Sequence, residues 1–324
     1  MGAGLTSYVI RRVLWAVPVL FAISFVVFWI LRLAPGDPVD SLLGQRFDEE
    51  RAANLRHKYG YDKPVVEQYV IYLNNLAHGD LGVSTRHADF SVSEVIWPKI
   101  KVSSQLGAMA LVIVFSLGIP IGIYAALARG TFLDPLTIGC WLLLDAIPAF
   151  VLAPEVGWLV ALKLGWVTLG WKGIWTEGPF FRPESNVIVY VLIMSLPGVA
   201  GVARFMRASF ISVMDEDYVR TARAKGLKQS TIIITHITRN AMLPMITVIG
   251  LSLPGITAGA LFVERAFGIP GIGAESLAAV TAPDFDVILG LVLFGSLLFV
   301  VANIVIDISY ALIDPRVKVG GRRG

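Results

Sequence analysis

The sequence is poor in charge and nearly free of cysteine. Asp, Glu, Lys and Arg make up 16% of its 324 residues, whereas about 25% is usual for a soluble globular domain. The one cysteine, Cys140, lies in an apolar run and rules out a framework of intrachain disulfides. The composition therefore disfavours both an ordinary soluble domain and a small disulfide-stabilised one.

Signatures of catalysis and of metal binding are also missing from the sequence. It has no Gly-x-x-x-x-Gly-Lys-Ser/Thr phosphate loop and no serine nucleophile elbow. The histidines are too dispersed for a metal site; they are His57, His78, His87 and His236. We therefore predict a protein that is not an enzyme, needs no cofactor and does not hydrolyse nucleotide through a phosphate loop.

Long hydrophobic runs are what the sequence has instead. Hydrophobic residues make up 56% of the chain and the mean hydropathy is +0.71, which favours lipid over water as the solvent. We predict an all-α polytopic membrane protein with six transmembrane helices, at residues 13–31, 106–128, 136–162, 187–203, 241–263 and 287–313. The first run lacks a small-residue cleavage site, which favours a retained anchor over a cleaved signal peptide.

These spans divide the chain into three parts. Residues 1–31 are the N-terminal end and the first span, and residues 32–101 are a polar external insertion. Residues 102–324 hold the other five spans and a polar loop at 204–240. Within the insertion, apolar spacing predicts two short helices, at 49–58 and 65–76.

The distribution of Lys and Arg predicts the orientation. With the N-terminus in the cytoplasm, the inside segments 1–12, 129–134, 204–240 and 314–324 hold fourteen of these residues, and the outside loops 163–186 and 264–286 hold four. Cytoplasmic loops of membrane proteins carry such an excess. Both termini are therefore predicted inside, and the basic balance needs no nucleic-acid partner to explain it.

The loop at 204–240 carries the most informative pattern. Three acids at 215–217 precede a basic stretch that ends at Gly226, the charge order that suits the dipole of a short helix with a glycine stop. A second helix is predicted from 229 to 239. The alternatives are a surface that docks a partner protein and an amphipathic hairpin held on anionic lipid by seven cations. The candidate contact residues are Asp215, Glu216, Asp217, Tyr218, Thr221, Ala222, Ala224, Lys225 and Gly226.

Four stretches, in order along the chain, carry a resemblance to a known family. They read LAPGDP at 33–38, GDLGVS at 79–84, YVRTARAKGL at 218–227 with RNAMLP at 239–244, and FGIPGIG at 267–273. In this order they resemble the permeases of binding-protein-dependent ABC importers, more narrowly the dipeptide/oligopeptide/nickel family. The long insertion is similar to that of the B-type subunit. The Glu-Ala-Ala opening of the general loop motif is replaced by residues 220–222, which argues more against a sugar or amino-acid permease than against a peptide permease.

The resemblance implies a type I ABC importer permease fold in the cytoplasmic (inner) membrane of a prokaryote. It implies that this chain and a second, C-type permease chain form the pore. Two cytosolic ATP-binding subunits would drive transport, and an external substrate-binding protein would deliver the cargo. The segment 215–226 would then sit in a groove of one ATPase.

Two carboxylates in the predicted third span are candidates for the pore lining. They are Asp145 and Glu155, and such groups in a membrane face a cavity or a partner. Asp145 can equally hydrogen-bond a neighbouring helix, and Glu155 can lie at the wet outer interface. Cargo stays open among peptides, nickel chelates and oligosaccharides. A non-transporting membrane scaffold is a further alternative, whereas an ion-coupled carrier would show paired intramembrane charges and an inverted repeat.

Overall fold

The computed structural model describes the backbone of residues 2–34, 39, 43, 48–87, 90–166, 170–175, 184–258 and 261–313. Side chains are described over the same ranges except 2–9, 144–145, 149, 185, 253, 256–258 and 309–313. The predicted all-α membrane fold is confirmed. The helices are α1 Gly2–Leu33, α2 Glu49–Tyr59, α3 Val65–Ala77, α4 Val92–Leu127, α5 Leu133–Asp145, α6 Ala149–Gly157, α7 Ser185–Met214, α8 Asp217–Ala224, α9 Arg239–Ala258, α10 Leu261–Phe267, α11 Ile272–Thr281 and α12 Phe285–Ile313.

Five helices of the described part of the chain are long and apolar enough to cross a membrane. The segments are Ile10–Leu33, Val92–Leu127, Asn186–Met214, Gln229–Ser252 and Phe285–Ile308. The predicted third span is broken into α5, α6 and a π-helical turn, Trp158–Lys163, with Pro148 preceding α6. Proline is tolerated at a helix start because its missing N–H is not needed there, but it does not continue the preceding helix.

Two spans are longer than their apolar runs indicate. Helix α4 begins inside the predicted insertion because Ser91 and Glu94 form a reciprocal capping box, with Glu94 N–H to Ser91 Oγ at 3.2 Å and Ser91 N–H to Glu94 Oε2 at 2.9 Å. Helix α7 continues into the predicted loop because Met206 and Phe210 remain fully buried at helical spacing. The polar loop therefore starts after Met214.

Helices α4 and α7 form the centre of the bundle, and glycines bring them together. A Cβ at Gly118 of α4 would collide with Val202 of α7. A Cβ at Gly122 of α4 would collide with Ala203 and Met206 of α7. Small residues at such positions let helix backbones approach closely, which is the main means of helix association in membranes. The close approach fixes the position of α7 against α4.

The insertion helices α2 and α3 pack on the end of the bundle where α1 ends and α4 and α12 begin, here called the insertion end. Tyr69 of α3 lies against the Phe25 and Phe28 rings of α1, with centroids 5.6 and 5.0 Å apart. The Tyr69 hydroxyl also lies 3.1 Å from Ser24 Oγ. Both predicted short helices are thus observed, and one of them is anchored on the first span.

A buried carboxylate at the insertion end joins α11 to α4 and to the segment that precedes α4. Glu275 of α11, 5% exposed, pairs with Arg86 and with Lys99, whose Nζ lies 2.5 Å from Oε2, and His87 Nε2 lies 3.2 Å from Oε1. Burial by itself raises the pKa of the Glu275 carboxyl, but its bonds and ion pairs with Lys99 and Arg86 outweigh burial and hold that pKa below its ordinary value. The network ties the start of α4 to α11.

Candidate docking surface around helix α8

Helix α8 is short, and its charges and end geometry explain why it forms where it does. Asp217 lies in its first turn and Arg223 in its last, as the helix dipole favours. The chain then turns at Gly226, whose φ of 71° lies in the left-handed region that costs glycine little. Gly226 N–H donates to the Arg223 carbonyl at 2.9 Å. The predicted helix and its glycine stop are therefore observed.

One face of α8 packs into the protein. Val219 is 0% and Ala222 is 5% exposed, and both belong to an apolar cluster with Phe210, Ile232 and Ile237. Residues three apart lie on the same side of a helix, so these two side chains fall together on the inner face. Ala222 was predicted to contact a partner; it instead contacts the core, and that prediction is wrong.

The other predicted contact residues share an exposed surface. The exposed residues are Asp215, Glu216, Asp217, Tyr218, Thr221, Ala224, Lys225 and Gly226. This surface, together with Leu227, is called the α8 surface below. It combines acids at one end, the cation Lys225 at the other and small side chains between them.

The α8 surface also carries two apolar side chains. Tyr218 and Leu227 are each 42% exposed. Sequence reasoning included Tyr218 among the contact residues but missed Leu227. Its exposure has no signal in the sequence, because an apolar residue directly after a glycine stop usually packs back on its helix. An exposed apolar group therefore lies at each end of the helix.

Polar contacts hold α8 in place on neighbouring segments. Asn240, at the start of α9, donates from Nδ2 to Tyr218 Oη at 3.0 Å and to the His236 carbonyl at 2.8 Å. Arg129, just after α4, pairs with Asp215 at 2.9 Å. These contacts join the N-terminal end of α8 to the segment after α4 and to the start of α9.

A second ion pair fixes the α7 helix that leads into this surface. Arg207 of α7 donates from Nε and Nη2 to the two carboxylate oxygens of Asp134, at 2.6 and 2.5 Å. This bidentate geometry is the strongest form of a charge-assisted hydrogen bond. Because Asp134 lies in the first turn of α5, the pair joins α5 to α7 at a point roughly three helical turns before α8 begins.

The candidate pore residues stand apart from the α8 surface. Glu155 is exposed on α6. Asp145 is the last residue of α5, and its side chain lies outside the described residues. The two are not brought together by any described contact. Among the described residues, no group of three His, Cys, Asp or Glu side chains could hold a metal ion.

Helix α4 exposes a largely polar face that sequence reasoning missed. Side chains at Glu94, Trp97, Lys101, Gln105 and Ala108 are exposed at intervals of three or four residues, and this row is called the α4 stripe. The Lys101 ammonium lies 5.8 Å from the centroid of the Trp97 ring. Trp175 Nε1–H donates to Gln105 Oε1 at 3.2 Å. The helical spacing of three polar residues ahead of an apolar run was the signal that could have revealed it.

Helix α1 shows the opposite kind of exposed surface. Within its apolar run the exposed large side chains include Leu14, Trp15, Val17 and Leu33. An apolar face suits lipid, whereas charged and amide groups next to lipid are costly. The α4 stripe is therefore suited to water or to a protein partner, and α1 to lipid.

The described chain is a bundle of membrane-spanning helices with an exposed loop helix beside it. Two family models match this chain: "Binding-protein-dependent transport system inner membrane component" over residues 118–319, and the N-terminal part of the same component over residues 5–94. The chain belongs to the family of binding-protein-dependent transport system inner membrane components.

Similar proteins extend along nearly the whole chain. The oligopeptide transport system permease protein OppB of Haemophilus influenzae is 35% identical over 313 residues, covering 96% of this chain and 99% of the relative. OppB of Escherichia coli (strain K12) is 34% identical with the same coverage. The dipeptide transport system permease protein DppB of the same strain is 32% identical, covering 96% of this chain and 98% of the relative.

Proposed function

We propose that this chain is one of two permease chains that form the pore of an ATP-driven importer for peptides. In this proposal two cytosolic ATP-binding subunits supply energy, an external substrate-binding protein delivers cargo, and both termini of this chain are cytoplasmic. The excess of Lys and Arg in the segments on the α8 side supports that orientation. The names of the relatives, oligopeptide and dipeptide permeases, support peptides as the cargo.

The α8 surface is the observation that carries the proposal. A nucleotide-driven movement of an ATPase can reach the membrane only through a helix that is both exposed and rigidly joined to the spans. Helix α8 meets both conditions, since its outer face is exposed while Val219 and Ala222 are buried. Asn240 and Arg129 hold its N-terminal end, through Tyr218 and Asp215. Such coupling is a rigid-body change between two states.

Co-purification and stimulated ATP hydrolysis test this function. We expect the chain, expressed with its neighbouring genes, to purify with two ATP-binding subunits and a second permease chain. A peptide-loaded binding protein should stimulate ATP hydrolysis by this complex in lipid, and peptide should accumulate in vesicles. Stimulation by a nickel chelate or an oligosaccharide alone would support the importer function but contradict peptides as the cargo. A stable complex without uptake of any cargo would support a scaffold instead.

We further propose that the α4 stripe lines the translocation pathway, with Asp145 and Glu155 as acidic groups for the cationic end of a cargo. Cys140 is the only cysteine, so Cys140→Ala gives a cysteine-free chain. Single cysteines at Lys101, Gln105 and Asp145 should react with a water-soluble, membrane-impermeant thiol reagent at least about tenfold faster than one at Val17 of α1, because lipid excludes the charged reagent.

A matched internal control is Leu106, which neighbours Gln105 but is 0% exposed. A cysteine there should stay unreactive in the folded protein. Equal protection of Gln105 and Val17 in the assembled transporter would contradict the pathway, because it would mean that a second chain or lipid covers the stripe. Protection of Asp145 alone would remove only that residue from the lining.

A further inference from the structure

A polar cavity of about 100 Å³ lies at the insertion end, away from the α8 surface and from the α4 stripe. Helices α1, α3 and α12 and the connection between α2 and α3 surround it. Its walls include four aromatic rings and one carboxylate. Among the lining residues are Arg32, Tyr61, Gln68, Tyr72, Gly82 and Asp286. Since one water takes up about 30 Å³ of the liquid, the space suits a small ion with one or two waters, or a group the size of ammonium.

Three oxygen atoms of this lining are buried without a hydrogen-bond partner in the described part of the chain. They are Tyr61 Oη, Tyr72 Oη and Gln68 Oε1, and Tyr72 is only 7% exposed. Such groups are rare because burying a polar atom unpaired costs free energy. Each of them therefore calls for a ligand or an ordered water.

The orientation of Gln68 is fixed by its other hydrogen bonds. Its Nε2 donates to the Lys63 carbonyl at 2.7 Å and to the Tyr61 carbonyl at 3.4 Å. Two backbone acceptors require the amide nitrogen on that side, so the acceptor Oε1 occupies the opposite side of the amide. An acceptor-only oxygen needs a hydrogen-bond donor or a cation.

The cavity lining holds one carboxylate and one guanidinium. The Asp286 carboxylate borders the cavity and packs against Gly82, which has a φ of 92° and no Cβ to displace it. The Arg32 guanidinium lies 4.6 Å from the Tyr61 ring centroid and 5.0 Å from that of Phe28. Asp284 and Asp80 add negative potential at Asp286.

We propose that this cavity binds a small monovalent cation, through the Asp286 carboxylate and the oxygens of Tyr61, Tyr72 and Gln68. Carboxylate, amide and hydroxyl oxygens are ligands that hard cations prefer, and aromatic walls attract cations further. A single carboxylate in the lining beside a guanidinium suits one positive charge better than two. The bound species is an inorganic ion such as Na⁺ or K⁺, or ammonium.

The two tyrosines contribute as neutral hydroxyls. Burial, followed by the charge of Asp286, raises the pKa of Tyr61 and of Tyr72 well above the ordinary value for a phenol. Each therefore keeps its proton at neutral pH and offers a lone pair to the cation. Since the ligands come from α3, α12 and the α2–α3 connection, the ion joins the insertion to the start of the last span.

Thermal unfolding of the full chain in lipid nanodiscs tests the cation site. Unfolding midpoints are compared in NaCl, KCl, NH₄Cl and choline chloride at one ionic strength, with choline as the bulky reference cation. One or more of the small cations should raise the midpoint saturably, by about 2–4 °C above choline, as expected for a ligand that binds only the folded state. Comparison of the three salts identifies the ion.

Two conservative variants and a matched control test whether the cation binds in this cavity. Tyr72→Phe and Tyr61→Phe each remove one ligand oxygen and should raise the half-saturating cation concentration about fivefold. Tyr69→Phe loses its contact with Ser24 but does not border the cavity, so its cation response should match that of the unchanged chain. If one variant fails to fold, the other carries the same expectation. Equal midpoints in all four salts, or equal responses of all variants, would show that only water fills the cavity.

Discussion

Replacing Gly226 with valine is expected to lower ATP-driven peptide uptake at least about tenfold while the chain still inserts into the membrane. The φ of 71° at Gly226 is the physical reason, because a β-branched residue in the left-handed region costs at least about 1–2 kcal/mol. No neighbouring atom lies within 4 Å of a Cβ built there, so the chain has room for the side chain. Strain therefore acts by changing the turn, which moves Lys225 and Leu227 on the α8 surface.

The structure offers a closely matched control in Gly165. It has a φ of 62°, and no atom lies within 4 Å of a Cβ built there. Gly165→Val carries the same backbone strain just after the π-helical turn Trp158–Lys163, away from the α8 surface and from the residues that contact it. We expect its uptake and its membrane level to stay close to those of the unchanged chain. Gly226→Asn should be milder than valine, since asparagine tolerates the left-handed region.

Uptake of labelled peptide into vesicles, with membrane levels measured by immunoblot, separates the outcomes. Loss of uptake by Gly226→Val at a normal membrane level supports docking through α8. Unchanged uptake by Gly226→Val would contradict the docking hypothesis. Equal loss by Gly165→Val would show that turn strain alone is responsible, whatever its position.

Removing the Glu275 carboxylate is expected to have the largest effect on stability. Glu275→Ala leaves Arg86 and Lys99, which are 28% and 19% exposed, without their shared acid. Breaking a buried ion pair from one side typically costs about 3–5 kcal/mol, and the partial exposure of the two cations favours the lower value of about 3 kcal/mol. Chemical denaturation of the full chain in detergent would measure the loss.

Glu67→Ala is the control for this prediction. Glu67 pairs with Lys63 at 3.0 Å, and their side chains are 51% and 42% exposed. Exposed pairs at this spacing contribute about 0.5 kcal/mol or less. Similar losses for the two variants would contradict the importance assigned to the buried network.

The same network predicts a pH dependence with a definite sign. The pKa of Glu275 is lower in the folded chain than its ordinary value, so its ion pairs stabilise the fold fully above the unfolded value of about 4.3. Stability should therefore fall as the pH drops from about 5 through the folded pKa, as His87, Arg86 and Lys99 lose the negative charge between them. Glu275→Gln should remove this part of the acid dependence while keeping the shape of the side chain.

The sequence by itself determined that lipid surrounds much of the chain and that the segments crossing it are helices. Low charge and long apolar runs predicted the all-α membrane fold, because lipid admits helices whose backbone bonds are internal. Local chemistry also predicted α2, α3 and α8: helix starts, charge order and the Gly226 stop act within one or two turns, so a single chain segment contains the whole signal.

Tertiary structure decided which side of each element faces a neighbour. Ala222 and Ala224 look alike in the sequence, yet packing on Phe210 and Ile237 buries the first and leaves the second exposed. Likewise, the apolar run from 136 to 162 gives no sign of how its pieces are arranged around Pro148. The bond between Arg86 and the buried acid of α11 joins residues 189 positions apart, and only the packed fold brings such groups together. A short-range signal fixes an element, whereas contact between elements depends on the whole bundle.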